Sequence, residues 1–437
     1  MPTLGLVEME LRRRAEARGL HIGSSLPEGA LLWVPYLLKR EFYDALRREA
    51  PLAVGGERHS IFVDMEGRLH LACRRDAIKA GKVGEPLMGH VEGYDWESAA
   101  GPSTMFVPPT LVPSMQDKRI VSVATSDDHC LALSAEGEVY SWGDGSEGGL
   151  GHADGSARVG PSRIETLARV EVITVGCRST NAAVDDRGRL FTWGRATGLG
   201  YELNPETEIQ LTPKWVDALS EDRVVGVARA SSLTLVVTDA GAVFSCGKCS
   251  SGTLGHGSFR WTEVLPRRIE ALEKTGRRFF AVAAGLSHGL ALTEEGQVYG
   301  WGYLTANGQG QPVDTPRLVP ALRGVRVKRV HAQSFSSCAV TEKGELYTWG
   351  SGYENHLQVM GRVPTPQETP KRVEALRRVK VVAAVICDTH TLVANAHGMV
   401  WAFGERSPFS LGCADAPPGG GVVQPTSIPN LRVRTLP

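Results

Sequence analysis

The sequence carries no excess of charge of either sign: 48 Lys and Arg stand against 48 Asp and Glu in 437 residues. A balanced chain has no basic field to draw nucleic acid and no acidic tail. Long apolar runs are missing too, and none approaches the roughly 18–20 residues of a membrane helix. The opening MPTLGLVEMELRRRAEARG has no apolar core for a secretory signal, and Glu8, Glu10 and Glu16 argue against a mitochondrial presequence. The eight cysteines are scattered without disulfide-framework spacing. This combination points to a reduced compartment, cytoplasmic or nuclear. Also missing are a phosphate-cradling loop, a metal-ligand triad and a nucleophile–base pair. No catalytic residue, cofactor or metal is therefore expected, and a conventional enzyme is disfavoured.

What is plentiful is glycine and proline, 50 and 25 residues, and both recur at regular positions. They read as turns. The phrase VYSWGDGSEGGLGH from Val139 returns as LFTWGRATGLGYE from Leu190, VFSCGKCSSGTLGH from Val243, VYGWGYLTANGQGQ from Val298, LYTWGSGYENHLQ from Leu346 and VWAFGERSPFSLGC from Val400. A period of roughly 50 residues matches a propeller blade of four strands.

Each unit has a Pro-x-x-apolar lead-in (Pro161–Ile164, Pro213–Val216, Pro266–Ile269, Pro316–Val319, Pro370–Val373), then an alternating strand, a glycine turn and a strand ending in Trp-Gly. The turn glycines are Gly67, Gly137, Gly188, Gly241, Gly296, Gly344 and Gly398. Apolar alternation on both sides of a glycine turn is a hairpin signal. Seven turns predict an all-β, seven-bladed propeller over residues 51–437. The first unit has no lead-in, and Pro425–Pro437 is a lead-in with nothing after it. The expectation is a ring closed by pairing both chain ends in one blade, which also removes open sheet edges.

Two stretches fall outside the grammar. Residues 1–50 read as a helical extension that caps the propeller; LPEGALLWVPYLLKREFYDAL is similar to an F-box at Leu26–Pro27 and a few apolar positions. Residues 74–112 form a long insertion carrying Tyr94, Trp96 and Phe106, the kind of segment that specifies binding on a repeat fold.

The full grammar, Pro-x-x-Val through Ala-Gly-x-x-His-x-x-Ala-Leu to Val-Tyr-x-Trp-Gly and Gly-x-Leu-Gly, resembles the regulator of chromosome condensation repeat. The resemblance covers residues 51–437 and implies a seven-bladed propeller whose chain ends meet in one blade. It also implies a possible activity, guanine-nucleotide exchange on a Ran-like small GTPase. In exchange factors one inner loop reads Gly-Asp-Ser-His and the next Gly-Asn-Asp-His. Here Ser126-Asp127-Asp128-His129 keeps the acid, whereas Cys177-Arg178-Ser179-Thr180 reverses the charge. Light-sensing relatives use tryptophans in Gly-Trp-Arg-His-Thr; Asp127 and Leu286 hold that slot here.

The repeat histidines His59, His129, His288 and His390 are expected as buried hydrogen-bonding groups along the shaft, and Trp142, Trp193, Trp301 and Trp349 as fillers between blades. Cys246-Gly-Lys-Cys249 has no second pair to complete a zinc site and sits in a strand, so it reads as structural. The sequence thus favours a non-catalytic scaffold for protein partners, with Tyr94, Trp96, Asp127 and Asp128 as candidate binding residues. The alternatives are the exchange factor and a ubiquitin-ligase substrate receptor docking an adaptor through residues 1–50.

Overall fold

The computed structural model describes residues 53–55, 59–74, 106–178, 180–195, 198–203, 208–249, 251–259, 261–303, 306–351, 360–361, 367–404 and 422–433. Residues 1–50, with the F-box-like reading, and Tyr94 and Trp96 lie outside them. Seven four-stranded antiparallel sheets follow one another along the chain, over residues 53–111, 120–163, 172–215, 224–268, 279–318, 327–372 and 381–432. Each is a blade of a seven-bladed β-propeller, with its first strand on the central shaft and its fourth at the rim. Among the described residues no helix is long and apolar enough to cross a membrane.

Burial explains the sequence pattern. The second strand of a blade lies between two neighbouring blades, so both of its faces are covered, as in His129–Ser134 and His288–Thr293. A strand buried on both faces reads as a near-continuous apolar run. The core consequently spans blade boundaries: Leu131, Leu133 and Val139 of the second blade pack with Val172, Ala183 and Trp193 of the third.

The Trp-Gly phrase encodes a bulge. In all seven blades the pairing of third and fourth strands skips one residue at this slot, which is Ala72, Trp142, Trp193, Cys246, Trp301, Trp349 or Phe403. The skipped residue drops out of this pairing, keeps its partner on the second strand, as Trp142 does with Cys130, and packs its side chain against the neighbouring blade. Gly143 shows why glycine follows: its φ is 114°, and a Cβ there would stand 2.4 Å from the Asp128 carbonyl oxygen. The seven turn glycines have φ between 76° and 85° (Gly398 and Gly67), which L side chains rarely adopt.

The propeller closes differently from the sequence expectation. The last strand, Val422–Arg432, pairs with Met399–Gly404 of its own blade. The rim strand of the first blade is Phe106–Leu111, paired with Leu69–Arg74. Among the described residues the two end blades share one isolated bridge, Asp64 to Val433. Side chains make the rest of that joint. Phe62 and Ala72 pack with Leu392, Ala402 and Ile428, and Ser60 Oγ lies 2.9 Å from His390 Nε2. Pro161, Pro213, Pro266, Pro316 and Pro370 all sit in rim strands, so Pro-x-x-apolar ends a blade instead of starting one. Pro109-Thr110-Leu111-Val112 is the first blade's own copy, at the end of the stretch read as an insertion.

Candidate functional site

One repeat position builds the site. The hairpin joining the shaft strand to the second strand carries, two residues before the second strand, Asp127, Arg178, Ser231, Leu286, Ser334 and Asp388 in the second to seventh blades. Antiparallel pairing puts these hairpin tips at one end of the shaft, together with the loops that follow Trp-Gly.

Arg178 reaches from the third blade to the sixth and seventh. Its Nη1 is 3.3 Å from Asp388 Oδ2 and its Nη2 3.2 Å from Ser334 Oγ. Ser334 Oγ donates in turn to Asp388 Oδ1. The Arg178 and Asp388 side chains are 12% and 5% exposed. Burial alone would lower the Arg178 pKa, but the charges of Asp388 and Asp127 outweigh it and raise the value above normal. Ser334 has φ 44°, in the left-handed region. Such a conformation costs on the order of 1–3 kcal/mol and persists only where the surroundings impose it. The result is a charged latch across the mouth of the shaft, with half-buried Asp127 beside it and exposed Asp128 next to that.

The repeat histidines lie at the blade seams. His129 Nε2 donates to Asn181 Oδ1 of the next blade at 2.9 Å, and its Nδ1 lies 2.9 Å from Ser126 Oγ. Asn181 Nδ2 and Trp193 Nε1 both donate to the Gly149 carbonyl, at 2.8 and 2.9 Å. His59 reaches Thr125 Oγ1 at 2.6 Å, and His288 reaches Ser337 Oγ at 2.7 Å. Trp301 and Trp349 donate to the carbonyls of Thr253 and Ala306 in the preceding blades, both at 2.8 Å. Burial lowers the pKa of His59 and His390 to about 4 and of His288 to about 3, so all are neutral at pH 7.

Cys177 Sγ lies 3.2 Å from His129 Nε2. With its proton on Nε2 for Asn181, His129 cannot serve as a base there. Burial also raises the Cys177 pKa well above normal and lowers that of His129. An activated thiolate needs the opposite environment. Cys246 fills a tryptophan slot, and burial pushes its pKa to about 11. Among the described residues no group of three or more His, Cys, Asp or Glu is placed to hold a metal ion.

The structure thus brings Asp127 to the latch and distributes the four histidines to separate seams. Sequence reasoning missed Asp388 and Ser334, although a signal was present: Cys387-Asp388-Thr389-His390 has its acid two residues before the histidine, just as Ser126-Asp127-Asp128-His129 does.

Comparisons with known proteins agree with this architecture. Two family models described as "Regulator of chromosome condensation (RCC1) repeat" match, one at residues 120–148 and 281–311, the other at 136–183, 240–292 and 343–394. The human E3 ubiquitin-protein ligase HERC2 is 35% identical over 348 residues, covering 78% of this chain but 7% of HERC2. The mitochondrial RCC1 domain-containing protein RUG3 of Arabidopsis thaliana is 31% identical over 311 residues, covering 66% of this chain and 68% of RUG3. Among solved structures, Prp20p of Saccharomyces cerevisiae, described with its binding properties to Gsp1p and histones, superposes with a TM-score of 0.63 at 22% identity. That match covers 74% of this chain and 80% of Prp20p and supports the fold alone.

Proposed function

The chain belongs to the regulator of chromosome condensation repeat family, and on that premise we propose that it is a non-catalytic scaffold, cytoplasmic or nuclear, that presents loops to protein partners. The latch carries this reading. Exchange on a GTPase requires acidic and polar groups free to disturb phosphate and Mg²⁺ contacts. At this mouth Arg178 instead engages Asp388 and draws on Asp127. A rigid disc whose Asp388 is already held by Arg178 suits stable binding, since function in such folds belongs to the loops. Tyr94 and Trp96 in the long insertion, with Asp127 and Asp128 at the mouth, are the proposed contact residues.

A second reading, exchange on a Ran-like GTPase, draws on the acid kept at Asp127–Asp128 and on the described binding of Prp20p to Gsp1p. A third, substrate recognition for a ubiquitin ligase, draws on HERC2, of which this chain spans 7% of the length. Affinity capture with the full chain, in EDTA and then in excess GTP and Mg²⁺, separates them. The scaffold predicts the same partners in both conditions. A small GTPase retained only in EDTA would replace it with the exchange factor, and a ligase adaptor lost on removing residues 1–50 would replace it with the ligase receptor.

A further inference from the structure

The opposite face of the propeller carries the glycine turns and the connections from each rim strand to the next shaft strand. The two features meet within each repeat. The residue after the second strand donates its N–H to the carbonyl just before the shaft strand: Asp186 to Glu171, Asp239 to Arg223, Glu294 to Arg278 and Glu342 to Arg326. An acid therefore stands at the first position in the third to sixth blades, and in the fifth and sixth it neutralises the connection. Arg278 lies 3.2 Å from Glu294, Arg277 3.6 Å from Glu295 and Arg326 3.5 Å from Glu342.

The seventh blade breaks the pattern. Its connection ends in Arg377-Arg378-Val379-Lys380, three cations in four residues, and the turn position holds Ala396, followed by His397, as Ala135 holds it in the second blade. The connection lines a cleft of about 270 Å³ together with Lys343, Glu345 and Arg372. The acids nearby are already engaged, because Arg372 lies 2.8 Å from Glu345 and 3.7 Å from Glu374. Lys343, Arg377, Arg378 and Lys380 are exposed and have no ion-pair partner among the described residues. Val379 is half-buried at the wall, so the cleft offers an aliphatic contact beside four cations.

We propose that this cleft at the junction of the sixth and seventh blades binds a short acidic peptide segment of a partner protein, with Lys343, Arg377, Arg378 and Lys380 meeting its carboxylates. The patch is local. Glu342, Glu345 and Glu374 flank it, and the whole chain has no net charge. A long polyanion would run on to the flanking acids, whereas three extended residues span roughly 10 Å, and the one acid in the cleft wall, Glu345, is already held by Arg372.

The test uses the full chain and a short fluorescein-labelled peptide of alternating aspartate and leucine, titrated at low ionic strength and read by fluorescence anisotropy. Saturable binding is expected, weakened by salt. The double variant Arg377→Glu, Lys380→Glu should bind about tenfold or more weakly while keeping the wild-type melting temperature, because both side chains are exposed. Arg195→Ala, an exposed arginine next to Trp193-Gly194 on the other face, should leave peptide binding unchanged, which separates this site from the shaft mouth. Equal binding by the double variant, no saturable binding by the wild type, or tighter binding of a single-stranded oligonucleotide of equal charge would each overturn the proposal.

Discussion

The seam between the second and third blades and the seam between the third and fourth are the same backbone joint held by different chemistry. The first uses neutral groups. His129, Asn181 and Trp193 converge on the Gly149 carbonyl region, and Gly149 leaves no space for a Cβ, which would stand 2.7 Å from the imidazole. The second has Thr180 in the histidine slot and Cys246 in the tryptophan slot. Arg229, the last residue of the shaft strand Val224–Arg229, fills the vacated volume. It packs over Gly176, and its Nη1 donates to Thr234 Oγ1 and, at 2.8 Å, to the Gly198 carbonyl. Thr234 and Cys246 point at that same carbonyl.

The difference teaches that the family histidine and tryptophan are volume and hydrogen bonds at a seam, replaceable by one arginine from the facing strand. The rule is reciprocal along the ring. Where the histidine is kept, the residue facing it across the seam is small, Gly55 against His390 and Cys177 against His129. The substitute is not equivalent in charge. Arg229 is 7% exposed, its Nε and Nη2 have no hydrogen-bond partner, and burial lowers its pKa to about 10. Arg178, by contrast, has a carboxylate partner in Asp388.

The largest expected effect breaks the neutral seam. Trp193→Ala removes a fully buried indole and should cost about 3–5 kcal/mol in urea unfolding. A loss under about 1 kcal/mol would mean the indole is not a structural filler. Next comes the contrast between the arginines. Arg178→Met leaves Asp388 buried and unpaired and should cost about 3 kcal/mol or more. Arg229→Met removes an unpaired buried charge while Thr234 still satisfies Gly198, so its effect should stay within about 1 kcal/mol of zero. Equal losses in the two variants would refute the distinction.

Acid should act selectively on the histidine seams. His59 and His390 have folded pKa values of about 4, and His288 about 3, against 6.5 ordinarily. Below pH 6.5 the unfolded chain binds more protons than the folded one. The contribution is therefore complete above 6.5 and is lost as pH falls toward 4, and toward 3 for His288, by about 1.4 kcal/mol per pH unit for each group. Hydrogen exchange at mild acid should show the seam between the seventh and first blades (His390–Ser60) loosening before the Arg229 seam. The reverse order would contradict the assignment. The smallest effect sharpens the reciprocity: Thr180→His overfills the Arg229 seam at about 1–3 kcal/mol, and adding Arg229→Cys should restore much of the loss. Additive losses would sink the rule.

How much of this the residues announced follows from what repeats. Glycine turns and Trp-Gly bulges are local and recur, so blade number and strand content were legible from positions such as Gly137 and Trp142. Closure was not, because Pro109-Thr110-Leu111-Val112 is separated from the first blade's other strands by a long insertion and was not recognised as part of it. The latch was half legible. The charge reversal at Arg178 is visible in sequence, but its partners Ser334 and Asp388 lie 156 and 210 residues away and meet it only across the shaft. Arg229 has no repeat counterpart, so no pattern marked it.

Arg178 holds Asp388 at the shaft mouth, and the function proposed from it is binding without nucleotide exchange. The most direct measurement is the release of fluorescent GDP from a purified Ran-like GTPase in the presence of Mg²⁺, with and without the full chain. The account predicts the same release rate in both. Acceleration that rises with protein concentration and is lost in Asp127→Ala would contradict it and establish the exchange factor.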